Sequence, residues 1–358
     1  MENKIYEVGG ADARAVVQVF KAVATDEGAL PLHEIHQRTL QAIAEHVFHT
    51  PMELETIPSV FGGALESIAD ESLRREVVHM ASVLPYLETD DLGERGEALG
   101  RLAKAWGISD LTIKGALALA KGHKTLLYLD SFRTNKPELG QGVAALSWGF
   151  LKSSLHLDGN PKELARYESY RDLPAGTFGR TLVAYYDDNR FPLPGTVGTP
   201  FSNNLTAHDR HHVLAGYDTT PLGELCVFSF DGALSKADYS GAMIGVVAQF
   251  QLGYVYDPTV RAWRHQFDPD MVYRAAERGH ACQVNYLDES VDLDALMEKP
   301  LREVREEFGI DPEGALINGP EDTWCGEYGI VGQRSSPDLI ERKQSMLARI
   351  LKGHNTKD

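Results

Sequence analysis

An all-α fold is predicted by three observations. Apolar residues recur at i, i+3 and i+4 spacing along most of the chain. Gly, Pro and acidic clusters interrupt those stripes at helix-length intervals. The two-residue alternation that a half-buried strand requires is almost absent. At 358 residues the chain is too long for one typical core, so two domains are expected, 1–135 and 136–358, with a linker over about 136–160.

The first domain reads as successive amphipathic helices. Val16, Val19, Phe20 and Val23 form one stripe, and Ile35, Leu40, Ile43 and Val47 a second. Leu65–Ile68, Val77–Leu84, Leu99-Leu102-Ala103 and Ile113–Leu119 continue the pattern. Two acidic breaks separate them, Thr25-Asp26-Glu27-Gly28 and Glu88-Thr89-Asp90-Asp91, and a Glu follows each on the next helix (Glu34, Glu97). The pattern reads as an internal duplication of about 64 residues. The linker opens at Lys136-Pro137-Glu138 and closes at Asp158-Gly159-Asn160-Pro161, with an apolar helical run, Val143–Leu151, between.

The second domain begins with turn-rich sequence, Leu173-Pro174-Ala175-Gly176-Thr177-Phe178-Gly179-Arg180 and Phe191-Pro192-Leu193-Pro194-Gly195. Thr181–Tyr186 forms a helix between them. A further helix is expected over about Asn203–Gly216, capped by Ser202 or Asn203 and ended by Gly216. Leu225–Phe230 fits either strand or helix. Gly241–Leu252 is apolar on nearly every face, as in a helix that is buried or lines a greasy cavity. Met271–Leu287, Asp294–Phe308 and Pro337–Leu351 read as the closing helices.

A formal charge of −17 excludes the basic surface that a nucleic-acid phosphate backbone demands, and disfavours wholesale docking on anionic lipid. Cys226, Cys282 and Cys325 are few, odd in number and far apart, as expected of reduced thiols in a cytoplasmic protein. Neither a secretory leader nor a membrane-spanning run is expected; the longest apolar stretch, Gly241–Tyr254, is short and contains Gln249 and Gln251.

The chemistry concentrates in His208-Asp209-Arg210-His211-His212, followed by Glu224. His208 and His212, at i and i+4, project from one helix face, and Asp209 flanks that face about 100° around. Gly216, Pro221 and Gly223 end one element and begin another, so Glu224 can fold back on the histidine pair. His208 and His212, with one or both of the carboxylates Asp209 and Glu224, are therefore candidate metal ligands. Imidazoles with carboxylates suit zinc first and iron, manganese or cobalt next. The competing reading of the same residues is a polar, hydrogen-bonded helix face.

The His-Asp-x-x-His motif with Glu after eleven residues resembles the ubiquinone (coenzyme Q) biosynthesis family of Coq-four proteins. Val213-Leu214-x-Gly216, Gly223 and the upstream Leu173-Pro174-x-Gly176-Thr177-x-Gly179 share in that resemblance. Glu277-Arg278-Gly279 and Pro300-Leu301-Arg302-Glu303-Val304-Arg305 match more loosely, so the likeness covers about 161–315. It implies zinc on His208, Asp209, His212 and Glu224, inside a helical bundle around an apolar, lipid-accepting cavity. It further implies a polyprenylated aromatic or quinone precursor as ligand, ring decarboxylation of a hydroxybenzoate-like substrate (lyase chemistry), and peripheral membrane association. A homodimer or a place in a biosynthetic complex follows in the same way. His211 stands where that family more usually has an apolar or aromatic residue. Residues 11–130 resemble the TerB-like helical domains associated with tellurite resistance, through Ala24–Gly28 with Glu34 and Glu88–Asp91 with Glu97. That family links such acidic residues to divalent metal, although carboxylates in a helix-first turn also simply complement the dipole. The second acidic break lacks the Gly that Gly28 supplies in the first.

Two rival functions remain: a non-catalytic prenyl-lipid-binding or scaffold protein with a structural metal, and a metal-dependent phosphohydrolase, for which His156 and Asp238 are the available partners. The His33/His36 and His46/His49 pairs are expected as solvated helix positions without a carboxylate cluster. His123 follows Gly122 near a helix end, as a charge partner of that terminus. Trp106, Trp148, Trp263 and Trp324 are expected in core or interface, and no phosphate-loop or nucleophile-elbow spacing occurs.

Overall fold

The computed structural model describes residues 4–121, 159–197, 202–235, 239–254, 262–317 and 323–324. Regular structure among these residues is helical, with only two isolated bridges, Thr177 to Pro300 and Leu252 to Arg264. The fold is all-α, as the periodicity predicts.

The first half runs through α1 (Gly10–Ala24), α2 (Glu34–Ala42), α3 (Ala64–Ser67), α4 (Glu71–Ala81), α5 (Leu92–Ala105) and α6 (Leu111–Ala120). α2 continues without a break into a π turn, Ile43–Val47. Asp70 and Asp110 cap α4 and α6 by accepting the Leu73 and Ile113 N–H groups. Val16, Val19, Phe20 and Val23 of α1 are fully buried, each stabilising the fold by about 1.5–3 kcal/mol over exposure.

The second half runs through α7 (Pro161–Ser169), α8 (Phe178–Asp188), α9 (Ser202–Ala215), α10 (Pro221–Leu234), α11 (Tyr239–Phe250), α12 (Pro269–Ala281) and α13 (Leu301–Phe308). Leu225–Phe230, ambiguous in sequence, is helical because Thr220 caps α10 and Pro221 occupies its first turn. Two expected helices are shorter than the apolar pattern suggests. Met271–Leu287 stops at Ala281, where Cys282 turns extended and the Gln283 N–H bonds the Phe308 carbonyl at 2.9 Å. Asp294–Phe308 is split into a 3₁₀ turn, Leu293–Leu296, and α13, because Pro300 supplies no N–H to carry one helix through. The runs Val143–Leu151 and Pro337–Leu351, the linker over 136–158, and Trp148, His123 and Cys325 lie outside the described residues.

α10 is the scaffold of the second half, packed along both α11 and α12. α11 also meets α4, the Leu84–Leu87 turn and α6, while α12 meets α2 and the π turn. Buried apolar side chains from both halves thus join in one cluster. α11 is buried on all described sides by these neighbours. Gln251 serves both halves, donating to the Leu87 carbonyl and accepting the Phe267 N–H. At Gly279 the backbones of α12 and α10 touch, since a Cβ there would lie 2.1 Å from the Phe230 carbonyl oxygen.

Candidate metal centre

α8 is set by the entry segment. Gly176, at φ +83°, makes the turn, Thr177 caps the helix, and the Phe178 and Gly179 N–H groups bond the Lys299 and Met297 carbonyls. The helix so placed brings Tyr185 and Tyr186, both buried, against α9.

α9 carries His208, Asp209 and His212, and its C-terminal end is fastened from two directions. Arg278 of α12 donates to the Ala215 carbonyl at 2.9 Å and to the Tyr217 hydroxyl and Asp311 carbonyl, with its guanidinium over the Tyr217 and Phe230 rings. Arg305 of α13 donates to the Leu214 and Val213 carbonyls at 2.9 and 2.8 Å. Two cations thus satisfy carbonyls that the helix leaves unpaired, where the dipole also favours positive charge. Burial, with Arg278 nearby, lowers the Arg305 guanidinium to about 10. Gly216 (φ +79°) then reverses the chain, and a Cβ there would lie 2.9 Å from the Ile317 carbonyl oxygen.

That reversal aims Tyr217 back at the site. Its carbonyl lies 3.1 Å from His212 Nδ1 and accepts the hydrogen there, which orients the ring so that Nε2 faces His208 and Glu224. Asp218 accepts the Thr220 N–H and hydroxyl, and Gly223 lies so close that a Cβ would meet the Asp218 carbonyl at 2.1 Å. This packed turn starts α10 with Glu224 in its first helical turn, facing the two histidines.

The three groups converge. His208 Nε2 is 3.1 Å from His212 Nε2 and 3.2 Å from Glu224 Oε2, and His212 Nε2 is 3.6 Å from Glu224 Oε1. Their ligand atoms all lie within 4.8 Å of one another. Donors about 2.0–2.1 Å from a tetrahedral ion stand roughly 3.3 Å apart, so the donor set fits a divalent metal in spacing as well as in type. His212 is fully buried, whereas the His208 side chain keeps 24% exposure. Burial pushes the Glu224 carboxyl upward, but His212 and hydrogen bonds from both imidazoles hold it well below the usual range. Burial likewise opposes a proton on His212, and the Glu224 carboxylate outweighs it, raising the imidazole.

Asp209 lies beside this trio rather than within it. Its two oxygens accept the Tyr185 hydroxyl at 3.1 Å and the Tyr186 hydroxyl at 2.7 Å. Burial raises its carboxyl, only partly offset by Tyr186, the histidines and Tyr185. Tyr185 also stacks on His212 with ring centroids 5.6 Å apart, and Trp324 packs edge-on against Tyr185. His211 faces Asp231 of α10 at 2.8 Å, and the other Asp231 oxygen accepts the Tyr286 hydroxyl at 2.9 Å. Burial pushes Asp231 upward, but His211 brings it below its ordinary value. Asp231 is one heptad after Glu224 and shares its face of α10, a relation the sequence could have disclosed. The two arginines enter only through the loose family likeness of their segments, and the Tyr217 carbonyl left no signal.

The first-half histidines depart from expectation. His36 is buried against the Leu84 carbonyl at 3.0 Å, and His46 is buried between Glu277 and Asp270 at 2.8 and 3.0 Å. Those carboxylates come from α12, more than 220 residues later, so no local pattern could announce them. Asp26 and Glu27 pair with Arg101. Among the described residues, none of the groups able to hold a metal includes Asp26, Glu27, Glu34, Asp90, Asp91 or Glu97. His156 and Asp238, needed for the phosphohydrolase reading, lie outside the described residues.

What this arrangement defines is a class, an all-α protein with a partly buried His/His/Glu cluster. No family model matches the chain, and neither a curated protein nor a solved structure is significantly similar to it.

Proposed function

We propose that His208, His212 and Glu224 hold one divalent metal, zinc first and iron, manganese or cobalt next, and that the chain acts on a polyprenylated aromatic acid or quinone precursor. One observation carries the metal reading: two imidazole Nε2 atoms and a carboxylate meet at 3.1–3.6 Å, with the His212 ring held by the Tyr217 carbonyl. The substrate class rests on the likeness of 161–315 to the Coq-four family. The reaction is loss of the ring carboxylate, lyase chemistry.

A bound divalent cation would supply a Lewis acid for the charge that develops on a ring oxygen or carboxylate as CO₂ departs. The rest falls to the protein. His208 is the most exposed of the three, and the Phe228 ring lies 5.0 Å from its own as an apolar neighbour. Tyr185 and Tyr186 keep Asp209 beside the trio, where its raised carboxyl can hold a proton at Oδ1 or Oδ2. A three-ligand set leaves a position for substrate, whereas structural zinc sites are usually closed by four ligands and rich in Cys, which favours chemistry over the scaffold reading. No helix among the described residues is long and apolar enough to cross a membrane. Peripheral association, a cytoplasmic location and assembly as a homodimer or in a biosynthetic complex belong to the same proposal.

The test is elemental analysis of the purified chain beside His212→Ala, followed by incubation of the metal-loaded protein with prenylated hydroxybenzoates and assay of released CO₂. About one equivalent bound at this site, lost in the variant, supports the centre. A wild type unable to take up metal there sinks it. Metal without turnover, but with tight prenyl-lipid binding, leaves the scaffold reading.

A further inference from the structure

A second cluster of ligand-type side chains lies between the two halves, away from α9. His46 comes from the π turn that extends α2, beside Glu45; Asp270 and Glu277 come from the first turn and the interior of α12. Glu277 Oε2 is 2.8 Å from His46 Nδ1, and Glu277 Oε1 is 3.5 Å from His49 Nδ1. On the other side of the ring, His46 Nε2 is 3.0 Å from Asp270 Oδ1, and Glu45 completes a group with ligand atoms within 4.8 Å of one another.

The two sides of this imidazole are chemically distinct. A carboxylate accepting from Nδ1 is the usual way a protein fixes the tautomer of a metal-ligating histidine and makes it more basic. Nε2 then offers a lone pair to a space bounded by two further carboxylates. His46 is nine-tenths buried, so its position is fixed by packing, whereas Asp270 keeps 59% side-chain exposure and leaves the site open to ions. Charge decides what belongs there. Three carboxylates surround one buried imidazole, and among the described residues the ion pairs formed by Asp270 and Glu277 are with His46 and His49 only. Against three negative charges a single positive charge leaves two uncompensated, and a divalent cation leaves one. One imidazole with carboxylates suits zinc or manganese.

We propose that Glu45, His46 and Asp270 form a second divalent-cation site, oriented by Glu277, that staples the first half of the chain to α12.

The experiment is equilibrium dialysis of the metal-stripped full-length chain against Zn²⁺, with thermal melts alongside. Glu45→Gln/Asp270→Asn alters only exposed side chains and should fold. It is expected to bind one equivalent fewer than wild type and to lose most of the zinc-dependent rise in Tm. Glu277→Gln should keep the equivalent and bind it roughly 10- to 100-fold more weakly. His208→Ala, which disturbs the α9 site, should leave this equivalent in place. The proposal is overturned if the double variant binds zinc with wild-type stoichiometry and affinity, which would make His46 an imidazolium clamp, or if His208→Ala alone abolishes all zinc binding.

Discussion

His36 and His212 are both fully buried, one in each half of the chain, and their surroundings have opposite sign. His36 bonds the Leu84 carbonyl through Nε2 and lies near the buried Arg95. Burial first, then Arg95, lowers it to about 4, so it is a neutral packing residue. His212 is equally dry, but Glu224 faces it and raises it. Burial therefore does not distinguish a site histidine from a core one. The facing carboxylate does, together with a second imidazole whose nitrogen occupies the same small volume.

The comparison breaks most decisively on metal. His212→Ala is expected to lower zinc affinity by more than the roughly 100-fold that outer-shell changes cost, while His36→Gln leaves zinc content at the α9 site unchanged, both read by elemental analysis. Equal retention in both variants would remove the distinction. Acid titration comes next. Between pH 6.5 and about 4 the unfolded chain protonates His36 and the folded chain refuses, so stability falls by about 3 kcal/mol across that window. Denaturant melts at stepped pH should show this loss in wild type and its absence in His36→Gln. His212 has the opposite sign: in metal-free protein its contribution is complete below pH 6.5 and is lost as pH rises through its raised folded value. Saturating zinc should abolish that alkaline limb. Tyr186→Phe, which takes one donor from the buried Asp209 carboxylate, is expected to cost about 1–3 kcal/mol with zinc still bound. Arg101→Ala, at the exposed pairing with Asp26 and Glu27, should cost at most about 1 kcal/mol.

How far the site is legible in the sequence depends on the distance between its parts. His208 and His212 are one helical turn apart, and Glu224 follows through a turn marked by Gly216, Pro221 and Gly223. The trio therefore follows from spacing alone. The same spacing also nominates Asp209, yet two tyrosines of α8 engage it. That competition depends on where α8 packs, which no local pattern encodes. The fold class is legible for the same reason as the trio, since helical periodicity is local. Helix ends are less so: the apolar pattern runs past Ala281 and through Pro300, where long-range bonds and a missing N–H decide. His46 is the extreme case, its carboxylates lying 224 and 231 residues away.

The arginines that fasten α9 bear on the order of synthesis. Arg278 reaches the Ala215 carbonyl from 63 residues downstream, and Arg305 the Leu214 carbonyl from 91. A nascent chain emerges from its N-terminal end, so both histidines leave the ribosome well before the groups that close their helix. Until α12 has emerged, Tyr217 lacks the Arg278 contact and the Ala215 carbonyl is open; until α13 follows, the Val213 and Leu214 carbonyls stay open as well. A chain cut short before Arg278 would contain His208, His212 and Glu224 and still lack both arginines that fasten the end of their helix.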